Sequence, residues 1–145
     1  RRMSHSATMP GAVTFDSVRE AIRTSVSSGR IGTPVNVRVH WQFSSLCPAA
    51  AADVAVQLAD AALSLDKPTW RVRTAAEDTF VNLLGEDTGG KTVLISLVRG
   101  AVPEFTVIVF GNHGTLKLEH ASLDEDTLPT GNAKSVRQFS DLLEG

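Results

Sequence analysis

The sequence predicts an α+β domain: an open, mainly antiparallel β-sheet with helices packed on one face. Three observations predict it. Thr69 to His120 is a succession of short, β-branched-rich segments joined by connectors too short for helical crossovers, which favours antiparallel hairpins. Val35 to Phe43 alternates strictly, with Val35, Val37, Val39, Trp41 and Phe43 on one side and Asn36, Arg38, His40 and Gln42 on the other. Three further segments carry apolar residues at helical spacing, enough to cover one side of a sheet. A chain of 145 residues fits one such domain, here residues 14–145.

The elements follow in order. Residues 1–13, RRMSHSATMPGAV, read as a linker or surface arm, with a Met-Pro-Gly break and His5 in solvent. The chain starts at Arg1 without an initiator Met and is expected to be a piece of a longer protein or a processed product. From Thr14, Phe15, Val18, Ile22 and Val26 repeat at helical spacing; Thr14, Asp16 and Ser17 can each cap the start, and Gly29 ends the helix. Arg30 to Pro34 turns the chain into the alternating strand. Ala49 to Leu65 is a helix that stops before Pro68, whose ring disfavours helical conformation in the preceding residue. Strands are expected at 69–75, 78–84, 92–99, 104–111 and 115–120, with connectors Ala76-Glu77, Gly85 to Lys91, Gly100 to Pro103 and Gly111 to Gly114. Ala121 to Asn132 is acidic and turn-rich, and Lys134 to Glu144 returns to helical spacing through Val136, Phe139 and Leu142.

The segments Val93 to Val98 and Phe105 to Phe110 are apolar on both sides, so both faces of the sheet centre need cover. Three helices cover one. The other face is a candidate homo-oligomer interface, because contiguous exposed apolar patches mark partner sites; a loop or the N-terminal arm lying over it is the alternative.

With 14 basic and 16 acidic residues the formal charge is −2, which leaves no field to recruit nucleic acid or an anionic membrane. Cys47 stands alone, excluding an intrachain disulfide and a cysteine-based zinc site and fitting a reducing compartment. No apolar run reaches the length of a membrane span and the N-terminus has no signal-peptide core, so the expected location is the cytoplasm.

Gly85-Glu-Asp-Thr-Gly-Gly-Lys91-Thr92 matches the phosphate-loop letters G-x-x-x-x-G-K-[ST]. The mechanism behind those letters requires a helix N-terminus after the loop, whereas Val93-Leu-Ile-Ser-Leu-Val98 reads as a strand, and Glu86 and Asp87 would repel phosphate. A Gly-rich hairpin turn explains the letters better than a nucleotide site. There is no G-x-S-x-G nucleophile elbow, and Cys47 has no neighbouring His. His40 lies on the polar side of its strand, and His113 and His120 have no metal-pair spacing, so no metal site is expected.

One feature remains for chemistry. In the helix Ala49 to Leu65, Asp53, Gln57, Asp60 and Ser64 fall within a stripe roughly 60° wide on an otherwise apolar cylinder. The plain reading is the wet side of an amphipathic helix. The sharper one is a surface facing a cleft, where Asp53 binds a hydroxyl or raises the basicity of a neighbour and Gln57 donates and accepts a hydrogen bond. An amide takes up no proton at neutral pH, so Gln57 can only position.

The order and punctuation of the chain resemble the C-terminal domain of the glucose-fructose oxidoreductase, inositol dehydrogenase and rhizopine-catabolism (Gfo/Idh/MocA) family. Arg2 followed by Ser28-Gly-Arg-Ile-Gly-Thr-Pro34 resembles the family's approach to the first strand of its sheet. Asp53-x-x-x-Gln57-x-x-Asp60, with Pro68 after it, is similar to the family's D-x-x-x-H-x-x-D helix. Phe110-Gly-Asn-His-Gly-Thr-Leu116 resembles its late G-x-x-G hairpin, and Phe139 lies in a C-terminal helix as in the family.

The resemblance implies a dihydrodipicolinate-reductase-like C-terminal domain that supplies substrate residues and the oligomer interface. By position, Asp53 matches the family's catalytic Asp and Asp60 its second helix Asp, while Gln57 stands where the catalytic His normally sits; Gln57 and Asp60 become substrate-binding candidates. Pro48-Ala49 or nearby alanines replace the paired glycines that precede the family's Asp. The family's N-terminal Rossmann domain binds NAD or NADP and contributes a Lys from an E-K-P motif, and this chain contains neither G-x-G-x-x-G nor E-K-P, so it binds no cofactor itself. The implied role is the substrate-binding and oligomerisation domain of an NAD(P)-dependent oxidoreductase-like protein acting on a sugar or polyol, inactive alone. The alternative is a non-catalytic binding or regulatory relative that has lost the His.

Overall fold

A computed structural model describes residues 8–44, 46–75, 80–129 and 133–144. Among them run seven strands and three α-helices: β1 Thr8–Val13, α1 Phe15–Ser27, β2 Pro34–Phe43, α2 Pro48–Leu63, β3 Thr69–Ala75, β4 Phe80–Glu86, β5 Thr92–Arg99, β6 Glu104–Gly111, β7 Thr115–Leu123 and α3 Ala133–Glu144. The connector Ala76-Glu77, a strand start at Asp78, His5 and the turn at 130–132 lie outside the described residues.

One mixed sheet contains all seven strands in the order β1-β7-β6-β2-β5-β4-β3. Four neighbouring pairs are antiparallel and two, β1 with β7 and β2 with β5, are parallel, so the sheet is mainly antiparallel. The connector Gly100 to Pro103 does not close a hairpin, in contrast to the expectation. β2 lies between β5 and β6, and the Gly100 N–H donates to Phe43 O (3.0 Å) as the chain passes over the end of β2. Two strand spacings are about 10 Å, within reach of four extended residues, so a short loop can bridge an inserted strand as well as close a hairpin.

Thr8–Val13, in the stretch read as an arm, is an edge strand. Its pairing with β7 shifts register between Met9 and Ala12, around Pro10, which has no N–H to donate and is tolerated at an edge or irregularity. At the other end of the chain β7 runs on to Leu123, beyond the expected His120.

Side chains of one face form the core. Val37, Val39, Trp41 and Phe43 of β2 meet Val93, Ile95 and Leu97 of β5 and Phe105, Val107 and Val109 of β6, all at most 2% exposed. Trp41 packs edge-on against Phe105 (ring centroids 6.1 Å apart, planes at 85°), the geometry the ring quadrupoles favour. α2 crosses this face over β2 and β5, flanked by α1 and α3. Its alanines 51, 52, 55, 59 and 62 let the backbone approach on three sides, and Leu58 and Leu63 fill the gaps. Phe139 of α3 packs edge-on against Trp70 of β3 (5.9 Å). The opposite face carries half-buried Leu94, Val98, Ile108 and Phe110 with exposed Leu84 among polar neighbours, and the helices do not cover it.

Two of the quoted motifs dock on each other. The turn after α1 and the β6–β7 hairpin exchange hydrogen bonds: His113 N–H to Ile31 O (2.9 Å), Asn112 N–H to Thr33 O (3.0 Å) and Thr33 N–H to Asn112 Oδ1 (2.8 Å).

Candidate functional site

α2 starts at Pro48, a residue suited to a first helical turn because its missing N–H has no partner there, with Cys47 as N-cap. The cap makes no side-chain hydrogen bond, and Cys47 is exposed. Along the helix the polar stripe is graded: Asp53 is 5% exposed, Gln57 half-buried, Asp60 and Ser64 exposed.

Asp53 and Gln57 are brought together. The Gln57 amide Nε2–H donates to Asp53 Oδ2 at 3.0 Å, one turn apart. Burial pushes the Asp53 carboxyl above the ordinary carboxylate value, because the charged form loses hydration, and the Gln57 hydrogen bond opposes part of that rise. Asp60 is engaged differently: its Oδ1 accepts from Leu65 N–H (2.8 Å) and its carbonyl from Ser64 N–H (2.8 Å), closing the helix where Ser64 turns left-handed (φ 50°). Spacing alone does not reveal that role, because it depends on how the chain leaves the helix.

Asp87 is the other buried carboxylate among the described residues, 7% exposed. Burial opposes its charge, but hydrogen bonds from the backbone N–H groups of Lys91, Asp66 and Gly89, together with the Lys91 ammonium, outweigh that and hold its carboxyl below the usual range. The phosphate-loop letters therefore fall on a β4–β5 turn whose donors are already used, with a strand and no helix after Thr92. The contrast isolates Asp53, a buried carboxylate whose one side-chain bond among the described residues comes from an amide with an acceptor oxygen to spare.

His120, assigned no role from its spacing, lies on the helix side of β7, stacked on Phe105 at 6.4 Å, and its buried Nδ1 has no hydrogen-bond partner among the described residues. Burial lowers its pKa, so the neutral ring is favoured near pH 7. His40 on the open face pairs with Glu104 (3.5 Å). Among the described residues no group of three or more His, Cys, Asp or Glu is placed to hold a metal, and no helix is long and apolar enough to cross a membrane. Two cavities lie away from α2: one of about 430 Å³ opens on the uncovered sheet face at Arg38, Arg71, Leu84 and Leu94, another of about 430 Å³ between α1 and β7.

No protein-family model matches the chain, and no curated protein matches it by sequence. Solved structures do. Scyllo-inositol dehydrogenase from Lactobacillus casei superposes with a TM-score of 0.60 at 12% identity, over 90% of this chain and 48% of that one. Myo-inositol dehydrogenase from the same organism, solved with NAD(H) and myo-inositol, gives 0.59 at 16%, over 81% and 38%. Myo-inositol dehydrogenase from Corynebacterium glutamicum ATCC 13032 gives 0.58 at 15%, over 83% and 42%. The chain thus spans less than half the length of each of these proteins, and at such identities the likeness is one of fold. The architecture is accordingly a fold shared with part of each of these dehydrogenases.

Proposed function

We propose that this chain is the C-terminal substrate-binding and oligomerisation domain of an NAD(P)-dependent oxidoreductase-like protein acting on a sugar or polyol. The observation that carries the reading is the Asp53–Gln57 pair: a buried carboxylate held by a single amide, on the outer stripe of the central helix, in a fold shared with inositol dehydrogenases. Asp53 Oδ1 and Gln57 Oε1 remain as acceptors, and adjacent hydroxyls of a polyol are matching donors. Asp53 is the one member of the pair able to hold a proton, and its burial favours the protonated form. Gln57 orients, and Asp60 borders the same stripe with its second carboxylate oxygen. NAD or NADP belongs to a Rossmann domain outside this chain, and no step through the cofactor is assigned to these residues. The uncovered sheet face is the surface through which copies associate.

The test is NAD(P)-dependent oxidation of a panel of sugars and polyols by the full-length protein. Wild type should turn over at least one member, and Asp53→Asn should lower kcat/KM by roughly a hundredfold or more, the scale of a lost acid–base group. Gln57 in place of a proton-carrying His favours a second reading, a non-catalytic binding relative. Polyol binding without turnover in both wild type and Gln57→His would establish that reading and overturn the first.

A further inference from the structure

The Gly85–Thr92 stretch spells a phosphate-binding loop, yet its donors converge on a residue of the chain itself. Gly89 and Lys91 both direct backbone N–H groups at Asp87 Oδ1 (2.9 Å each), and the Asp66 N–H reaches Oδ2 at 3.2 Å from the loop that follows α2. Three backbone donors on one shielded carboxylate form a nest, the arrangement that phosphate and carboxylate ligands occupy elsewhere. A second set of bonds ties the turn to the end of α2. Lys91 Nζ donates to Leu63 O (2.6 Å), among the last carbonyls of the helix, which have no partner within it. Thr88 N–H donates to Asp66 O (3.1 Å), and the Thr88 hydroxyl to the Asp66 carboxylate. The exit they hold is strained, with Ser64 and Lys67 both at positive φ (50° and 47°), a region costly for residues with a Cβ.

We propose that the β4–β5 turn is a self-ligated oxyanion nest, with Asp87 as its tethered anion, and that it locks the C-terminal end of α2 to the sheet. The nest takes a carboxylate; Lys91 serves the helix carbonyl and not a nucleotide. The lock stands independently of any oxidoreductase role.

Chemical rescue tests it. Asp87→Ala leaves the nest donors in place and opens room for a one-carbon carboxylate. Amide exchange at residues 64–67 and 89–91 should accelerate on the order of tenfold or more, while the amides of residues 53–58 keep their protection. Formate should restore slow exchange in Asp87→Ala and leave wild type unchanged, with chloride at equal ionic strength as the control. Lys91→Met should release the α2 end with the nest still closed, and Lys91→Arg should retain part of the lock. Equal responses of wild type and Asp87→Ala to formate, unchanged exchange at 64–67 in Asp87→Ala, or binding of ATP by the wild-type chain through Lys91 would each overturn the proposal. Should Asp87→Ala not fold, Asp87→Asn keeps one acceptor oxygen, and exchange at 64–67 as slow as wild type in that variant would overturn the need for a charged anion.

Discussion

Gly29 and Gly32 share a φ of 76°, yet their surroundings differ, and replacing each by Ala separates backbone strain from docking of the two turns. A Cβ on Gly29 meets nothing within 4 Å, so Gly29→Ala bears only the left-handed penalty, roughly 1–2 kcal/mol. A Cβ on Gly32 would lie 2.1 Å from Asn112 Oδ1 and 2.6 Å from His113 Cδ2. Asn112 cannot yield without breaking its bond to Thr33 N–H, a further loss of about 0.5–1.5 kcal/mol, and the backbone bonds between the turns are strained with it. Gly32→Ala should therefore cost about 1.5–3.5 kcal/mol. Urea unfolding of both variants reads the difference, which for a domain of this size corresponds to about 2–4 °C in Tm per kcal/mol. Equal losses within about 0.5 kcal/mol would refute the docking of the α1–β2 turn on the β6–β7 hairpin as an energetic contact.

Asp53→Asn should raise the melting temperature near neutral pH, with the sign following from burial. A carboxyl raised in the folded state contributes stability that is complete below the unfolded value of about 3.9 and is lost as pH rises through the folded value, so the gain should vanish in melts near pH 3. Asp87, lowered in the folded state, has the opposite slope, its contribution present above the unfolded value and lost as pH falls through the folded one. If the uncovered face joins copies, wild type should sediment as an oligomer at micromolar concentration, and Ile108→Glu, on the half-buried centre of that face, should sediment as a monomer without loss of secondary structure. A monomeric wild type would remove that interface.

Strands whose two sides differ in polarity were the most legible part of the chain: the alternation of β2 spans Val35–Phe43 in sequence and Pro34–Phe43 in structure. Its position was not legible, because strand pairing across more than fifty residues leaves no local mark, and a four-residue connector looks the same whether it closes a hairpin or bridges a third strand. β1 was missed for a related reason, since Met9-Pro10-Gly11 reads as a break and only the free edge of β7 makes it a strand. In the candidate site the stripe on α2 was visible in the spacing, but its gradation from buried Asp53 to exposed Asp60 depends on tertiary packing, which spacing along one helix does not encode. The phosphate-loop letters show the converse: a motif rules in chemistry only with its context, and here a strand followed where a helix was required.

The insertion of β2 between β5 and β6 also constrains how the domain can form. β2 pairs with residues 92–99 on one side and 104–111 on the other, so its ladders join residues 56 apart in the chain on the β5 side and 62 to 77 apart on the β6 side, and that loop-closure entropy is lost before either seam contributes. Until β2 arrives, β5 and β6 each expose one edge of unpaired backbone beside side chains that are apolar on both faces. Non-local, parallel-containing sheets of this kind form slowly and are prone to edge-to-edge association on the way. A fragment beginning after α2 would retain those two strands permanently without their partner, and self-association is its expected fate.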